Sequence, residues 1–191
     1  MREPMTLAVL MGSTREGRLC EAVTRWVIDE VARTERYRVD VIDPLTLDLP
    51  VRQGADDSQS QLALQRRIAA ADAVVVVTPE YNHSFPAPLK QVIDSVYSDW
   101  WARPVAFVSY GGFSGGIRAV EQLRLVFAEL QTVTISQAVH LANAWELFDE
   151  TGSPTLSFRQ RRSLSKLLAQ LSWWAAVLRD ARASRAQPEA A

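Results

Sequence analysis

Apolar residues are grouped along this chain in two alternating rhythms, and the alternation predicts the fold. Residues 5–11 (MTLAVLM) form a nearly unbroken apolar run ending at Gly12-Ser13-Thr14, the pattern of a strand buried on both faces. Cys20, Val23, Val27 and Val31 then recur at helical spacing, which makes one apolar helix stripe. Residues 38–43 alternate apolar and polar as a second strand does, residues 44–58 are rich in Pro, Asp and Gly and read as a loop, and Leu64, Ile68 and Ala71 mark a short helix. The clearest strand follows: Ala73 to Thr78 is almost entirely valine and stops at Pro79. Leu89, Val92, Ile93 and Val96 give the next helix, residues 104–109 (PVAFVS) a fourth strand, and Val120, Leu123, Phe127 and Leu130 a fourth helix. Residues 133–139 read as a fifth strand, and Leu164, Leu167, Leu171 and Leu178 as a long last helix.

Five strands alternating with helices predict an α/β domain whose parallel sheet is covered on both faces, because parallel neighbours need right-handed crossovers and these are usually helical. Neither an internal repeat nor a linker interrupts the pattern, so one domain over residues 1–182 is expected, with residues 183–191 fraying. A formal net charge of −1 offers no basic face for nucleic acid or an anionic membrane. The one cysteine, Cys20, has no partner for an internal disulfide, and the first residues lack a signal-peptide core, which points to a cytoplasmic protein. No apolar run approaches the roughly 20 residues that span a bilayer.

In a doubly wound sheet ligands bind beyond the carboxyl ends of the strands, where the strand order reverses. Three loops at such ends carry the unusual chemistry. The first, GSTREGRL (12–19), joins a buried strand to a helix and offers the hydroxyls of Ser13 and Thr14 with the guanidinium groups of Arg15 and Arg18, a set suited to a phosphate. Its glycine spacing starts like a Walker A loop, but Arg18-Leu19 replaces the Lys and Ser/Thr that such a loop needs, and it lacks the G-x-G-x-x-G dinucleotide fingerprint. A polar turn with two solvated arginines explains it equally well. The second loop runs from Pro79 to Pro86, with Glu80, Tyr81 and Asn82 placed to line a flat ring and Ser84 a candidate cap for the next helix; an ordinary capped turn is the simpler reading. His83 has no carboxylate partner nearby in sequence and is left out of the catalytic set. The third loop, SYGGFSGGIRA (109–119), holds four of the eight glycines, which let main-chain amides approach a ligand closely. No Cys/His metal spacing and no Ser-His-Asp set is present, so neither a metal site nor a catalytic side chain is expected.

Taken together, GSTREGR (12–18), TPEYNHSFPAPLKQVID (78–94) and SYGGFSGGIRAVEQLR (109–124) resemble the NADPH-dependent FMN reductase family over about residues 5–140. The resemblance implies a flavodoxin-like three-layer sandwich with strand order 2-1-3-4-5, FMN as cofactor and NADPH or NADH as hydride donor. It further implies a ping-pong reaction that ends on a flavin, quinone or similar small acceptor, with the flavin carrying the chemistry. By that resemblance Ser13, Arg15 and Arg18 hold the FMN phosphate, Pro79, Glu80, Tyr81 and Asn82 line the isoalloxazine, and Gly111, Gly112 and Ser114 reach its pyrimidine edge. Many family members have Ser and Asn where this chain has Arg18 and Cys20, and Gly where it has His83. The alternatives are a non-enzymatic flavodoxin-type FMN carrier, against which the near-neutral charge and the arginines weigh, and a reductase dedicated to one azo, quinone or biosynthetic substrate.

Tyr97, Trp100 and Trp101 cluster after one helix, and Trp173 and Trp174 are adjacent on another, where both cannot face one core. One of each group meeting a partner chain is as good a reading as Trp edges covering their own core. The resemblance implies a homodimer or homotetramer.

Overall fold

Valine runs with no polar face leave a strand only one place to go, the interior of a covered sheet. In the computed structural model, which describes residues 4–52, 54 and 57–184, these runs become β1 (Met5–Met11), β2 (Tyr37–Ile42), β3 (Ala73–Pro79), β4 (Pro104–Tyr110) and β5 (Val133–Leu141). Between and after them lie α1 (Cys20–Ala32), α2 (Gln59–Ala70), α3 (Ala87–Asp94), α4 (Ile117–Glu129) and α5 (Phe158–Ser184). All strand pairs are parallel and the order is β2-β1-β3-β4-β5, the flavodoxin-like arrangement with its switch point between β1 and β3.

Strand alternation splits the core into two layers. Leu7, Val9, Met11, Val75 and Val77 face α1 and α5, while Ala8, Leu10, Val74 and Val76 face α2, α3 and α4. Every residue of β3 and β4 is buried, which is why their sequences carry no amphipathic signal. Helix α2 opens with a Ser58–Gln61 capping box, and buried Arg103 closes it by donating Nε to the carbonyls of Ile68 and Ala71 and Nη2 to that of Ala69. Burial pulls the Arg103 pKa down to about 10.

The elements differ from the sequence reading mainly at their ends. β5 runs on to Leu141, and α5 continues through Ser184; residues 185–191, most of the segment expected to fray, lie outside the described residues. Helix α3 begins after Pro86 without a side-chain cap, and the Ser84 hydroxyl instead donates to Gln122 Oε1. Trp100 is fully buried and packs edge-on against Phe127, whereas Tyr97 is 75% and Trp173 59% exposed. In each aromatic group, then, one ring serves the core and another faces outward.

Candidate flavin site

The pairings Met11 with Val77, Pro79 with Tyr110 and Tyr110 with Leu141 align the carboxyl ends of the four neighbouring strands, so the loops that follow them lie side by side. The first loop leaves β1 at Gly12, whose amide donates to the Val77 carbonyl at 2.7 Å. A Cβ there would sit 2.9 Å from both Thr78 Oγ1 and the Val77 oxygen, so only glycine lets the chain turn this close to β3. Helix α1 then follows Leu19, which gives it no side-chain cap, and the amides of Thr14, Glu16 and Gly17 have no hydrogen-bond partner among the described residues. Unpaired amides at the positive end of a helix dipole form an anion cradle.

The two arginines of this loop have separate occupations. Arg15 is exposed, and its side chain has no partner among the described residues. Arg18 is turned inward: its side chain is only 5% exposed and pairs with Asp43 and Glu21, while Nη1 also donates to the Ser13 carbonyl at 2.5 Å. Asp43 raises the Arg18 pKa, and Arg18 in turn holds the Asp43 carboxyl below its ordinary range. Arg18 therefore shapes the loop from behind. Ser13 is buried as well, its Oγ 2.8 Å from the Tyr81 hydroxyl and accepting the Arg15 amide at 3.3 Å.

The second loop is a tight hairpin. Tyr81 and Ser84 exchange main-chain hydrogen bonds at 2.8 and 2.9 Å, and the two residues between them, Asn82 and His83, both adopt positive φ (50° and 66°), as a two-residue primed turn requires. Glu80 is pinned beneath it. Its Oε1 accepts from Arg118 Nε at 2.5 Å, and Oε2 accepts from Ser114 Oγ at 3.1 Å and the Arg118 amide at 3.2 Å. Burial pushes the Glu80 carboxyl up, but Arg118 and Ser114 together outweigh it and the net shift is downward. Arg118 also reaches Ser114 Oγ at 3.0 Å and His83 Nε2 at 3.0 Å, tying the second loop to the third.

Beyond the strands the third loop is zipped to the segment after β5. The Gly111 amide donates to the Leu141 carbonyl, Ala144 N–H to the Gly111 carbonyl and Asn143 N–H to the Gly112 carbonyl, at 3.1, 3.0 and 3.1 Å. Ser109 Oγ lies 2.7 Å from both the Gly115 carbonyl and His140 Nδ1. Its single proton goes to the carbonyl, so His140 is assigned the Nδ1–H tautomer.

The structure thus gathers the predicted residues at one end of the sheet but distributes their work unequally. The Gly111 amide is spent on Leu141, the Ser114 hydroxyl on Glu80, the Ser13 hydroxyl on Tyr81 and the Arg15 amide, and Arg18 on Asp43, Glu21 and the Ser13 carbonyl. The Arg15 side chain, the amides of 14, 16 and 17, and the Gly112 amide have no partner within the described residues. Sequence reasoning missed Asp43, Arg118, His140 and Trp145, which lie 25 residues or more from their partners or in a three-residue turn, where neither periodicity nor motif spacing reports them.

A family model described as NADPH-dependent FMN reductase matches residues 5–146. An NAD(P)H-dependent FMN reductase of Schizosaccharomyces pombe is 38% identical over 120 residues, 58% of this chain and 60% of the relative, so the match spans less than two thirds of that protein. A quinone reductase of Pseudomonas putida is 28% identical over 182 residues, 91% of this chain and 96% of its own. Among solved structures, the flavoenzyme NAD(P)H:acceptor oxidoreductase of Paracoccus denitrificans superposes with a TM-score of 0.77 at 26% identity, covering 91% of this chain and 98% of that one. With the model spanning most of the chain and the expected sheet order and loop cluster in place, the chain belongs to the NADPH-dependent FMN reductase family of flavin-dependent oxidoreductases.

Proposed function

We propose that this chain binds FMN across its three loops and uses NAD(P)H to reduce a small acceptor, a quinone or a free flavin, by ping-pong turnover. The observation that carries the reading is the first loop, where, among the described residues, the amides of 14, 16 and 17 and the Arg15 side chain have no partner just ahead of the uncapped start of α1. Protein groups leave that cradle unsatisfied, and a phosphomonoester completes it. Arg15 with the amides of 14, 16 and 17 would hold the phosphate; Ser13 and Arg18 fix the loop's shape; Pro79 to Asn82 present a flat shelf for the ring; and the Gly112 amide is left to donate to the ring edge.

FMN, when bound, would supply the redox chemistry between NAD(P)H and a small acceptor, held by Arg15 and the amides of 14, 16 and 17 at its phosphate and by Pro79 to Asn82 along its ring. The chain's part is orientation. The Glu80–Arg118–Ser114 network holds the shelf and the glycine loop in one register, and the Gly112 N–H would be free to donate to the ring edge and stabilise negative charge there. Quinone reduction is favoured by the relative from Pseudomonas putida, which bears that name and matches over nearly the whole chain. A cytoplasmic setting suits an NAD(P)H donor, and the outward Tyr97 and Trp173 suit a homodimer or homotetramer.

The test is the visible spectrum of the protein reconstituted with FMN, taken anaerobically before and after NADPH and then NADH. Bleaching at catalytic rates is expected, and the faster donor gives the nicotinamide preference. Tight FMN binding without bleaching would make the chain an electron carrier, and no FMN binding would overturn the assignment of all three loops.

A further inference from the structure

The segment after β5 carries an aromatic side chain whose position no structural need explains. Residues 144–146 form one 3-10 turn, entered through Asn143 in the left-handed conformation (φ 45°). The turn is nailed down on both sides: Ala144 is 1% and Phe148 7% exposed, and the amides of Asn143 and Ala144 are bonded to the carbonyls of Gly112 and Gly111. Between these anchors Trp145 is thrust outward, 64% exposed. Its indole stands over the glycine loop, with Cη2 3.7 Å from the point where a Cβ on Gly112 would lie. In the same glycine loop Phe113, which follows Gly112 in sequence, is 97% exposed.

A buried tryptophan contributes its large apolar area to the core; one held rigidly in water forgoes most of that gain. Rigid exposed aromatic groups concentrated beside a polar ligand cradle mark a surface awaiting a flat apolar partner. Here the backbone zipper fixes the turn beside the loop whose Gly112 amide has no partner among the described residues, so a flavin whose ring edge took that amide would lie next to Trp145, and an acceptor laid on the flavin's face would come within reach of the indole.

We propose that Trp145 is a specificity-determining residue of the acceptor site: it stacks against planar aromatic acceptors and selects them over acceptors without a ring face. This rests on the flavin-reductase reading above. Removing one stacking ring weakens such a ligand by roughly two- to tenfold.

The test uses oxidised FMN-loaded protein and menadione as the planar probe, with ferricyanide as the acceptor lacking a ring. Calorimetric titration should give a menadione Kd about fivefold weaker in Trp145→Ala and within twofold of the parent in Trp145→Phe. In turnover with saturating NAD(P)H, Trp145→Ala should raise KM for menadione by a similar factor, with kcat changed less than twofold and no matching rise for ferricyanide. Equal menadione Kd in all three proteins would overturn the proposal, as would equal KM increases for both acceptors. Because menadione binding is read without turnover, this failure is distinguishable from failure of the reductase reading, which shows as absent bleaching by NAD(P)H.

Discussion

Arg15 and Arg18 stand three residues apart and look interchangeable in sequence, yet their surroundings give them opposite roles. Arg18 is nearly enclosed and paired with Asp43 at 2.5 Å; the Arg15 side chain is exposed without a partner among the described residues. A charge-assisted contact is worth about 1.5–3 kcal/mol, so each alanine variant should lose that much in a different measurement. Arg15→Ala is expected to raise the FMN Kd by roughly 10- to 100-fold in a fluorescence-quench titration and to leave the melting temperature unchanged. Arg18→Ala strands Asp43 half-buried and should lower the melting temperature by several degrees, with a smaller effect on FMN. Should Arg15→Ala bind FMN as the parent does, the phosphate cradle is wrongly placed.

At the scale of elements, the first loop works because β1 can end against β3 with no side chain between them. An added methyl at Gly12 would press on Val77 O and Thr78 Cα, at 2.9 and 3.0 Å, and both belong to a fully buried strand that cannot give. At Gly17 the backbone is left-handed (φ 65°) but nothing lies within 4 Å of a Cβ. Gly12→Ala is therefore expected to cost about 1–3 kcal/mol through overpacking, against roughly 1 kcal/mol of backbone strain for Gly17→Ala. Urea unfolding of the two variants checks this, and a Gly17→Ala protein as unstable as Gly12→Ala would contradict it. The same contrast explains what the sequence disclosed. Buried valine runs and helical stripes are local signals, so the strands, the sheet class and the three loops were legible, and Gly12 stood out where the apolar run broke. Arg118 on Glu80, His140 on Ser109 and Arg18 on Asp43 are pairings made across crossovers; their partners lie 25 to 38 residues apart and leave no periodic trace. The turn that presents Trp145 is too short to show a rhythm of its own.

For the whole molecule, these crossover pairings set how the fold answers to acid. Burial, with Arg124 adding to it, holds His140 below its ordinary 6.5, despite an opposing pull from Glu121. Below that pH the unfolded chain takes up a proton that the native state resists, so stability falls as pH drops through about 6.5. Asp43, drawn down by Arg18, and Glu80, drawn down by Arg118 and Ser114 against burial, lie below their ordinary 3.8 and 4.5. Stability from these two is complete above their unfolded values and is lost as pH falls below about 4.5 toward their folded ones. Thermal melts from pH 8 to pH 3 should therefore decline in two stages, with His140→Gln removing the upper one and Glu80→Gln shrinking the lower. A flat melting temperature between pH 7 and 5 would remove His140 from the account. Both stages converge on the site, since His140 braces the third loop through Ser109 and Glu80 joins the third loop to the second. FMN-loaded protein should accordingly show a steeper lower stage than the apoprotein, because protonating Glu80 loosens the shelf on which the cofactor's contribution to stability depends.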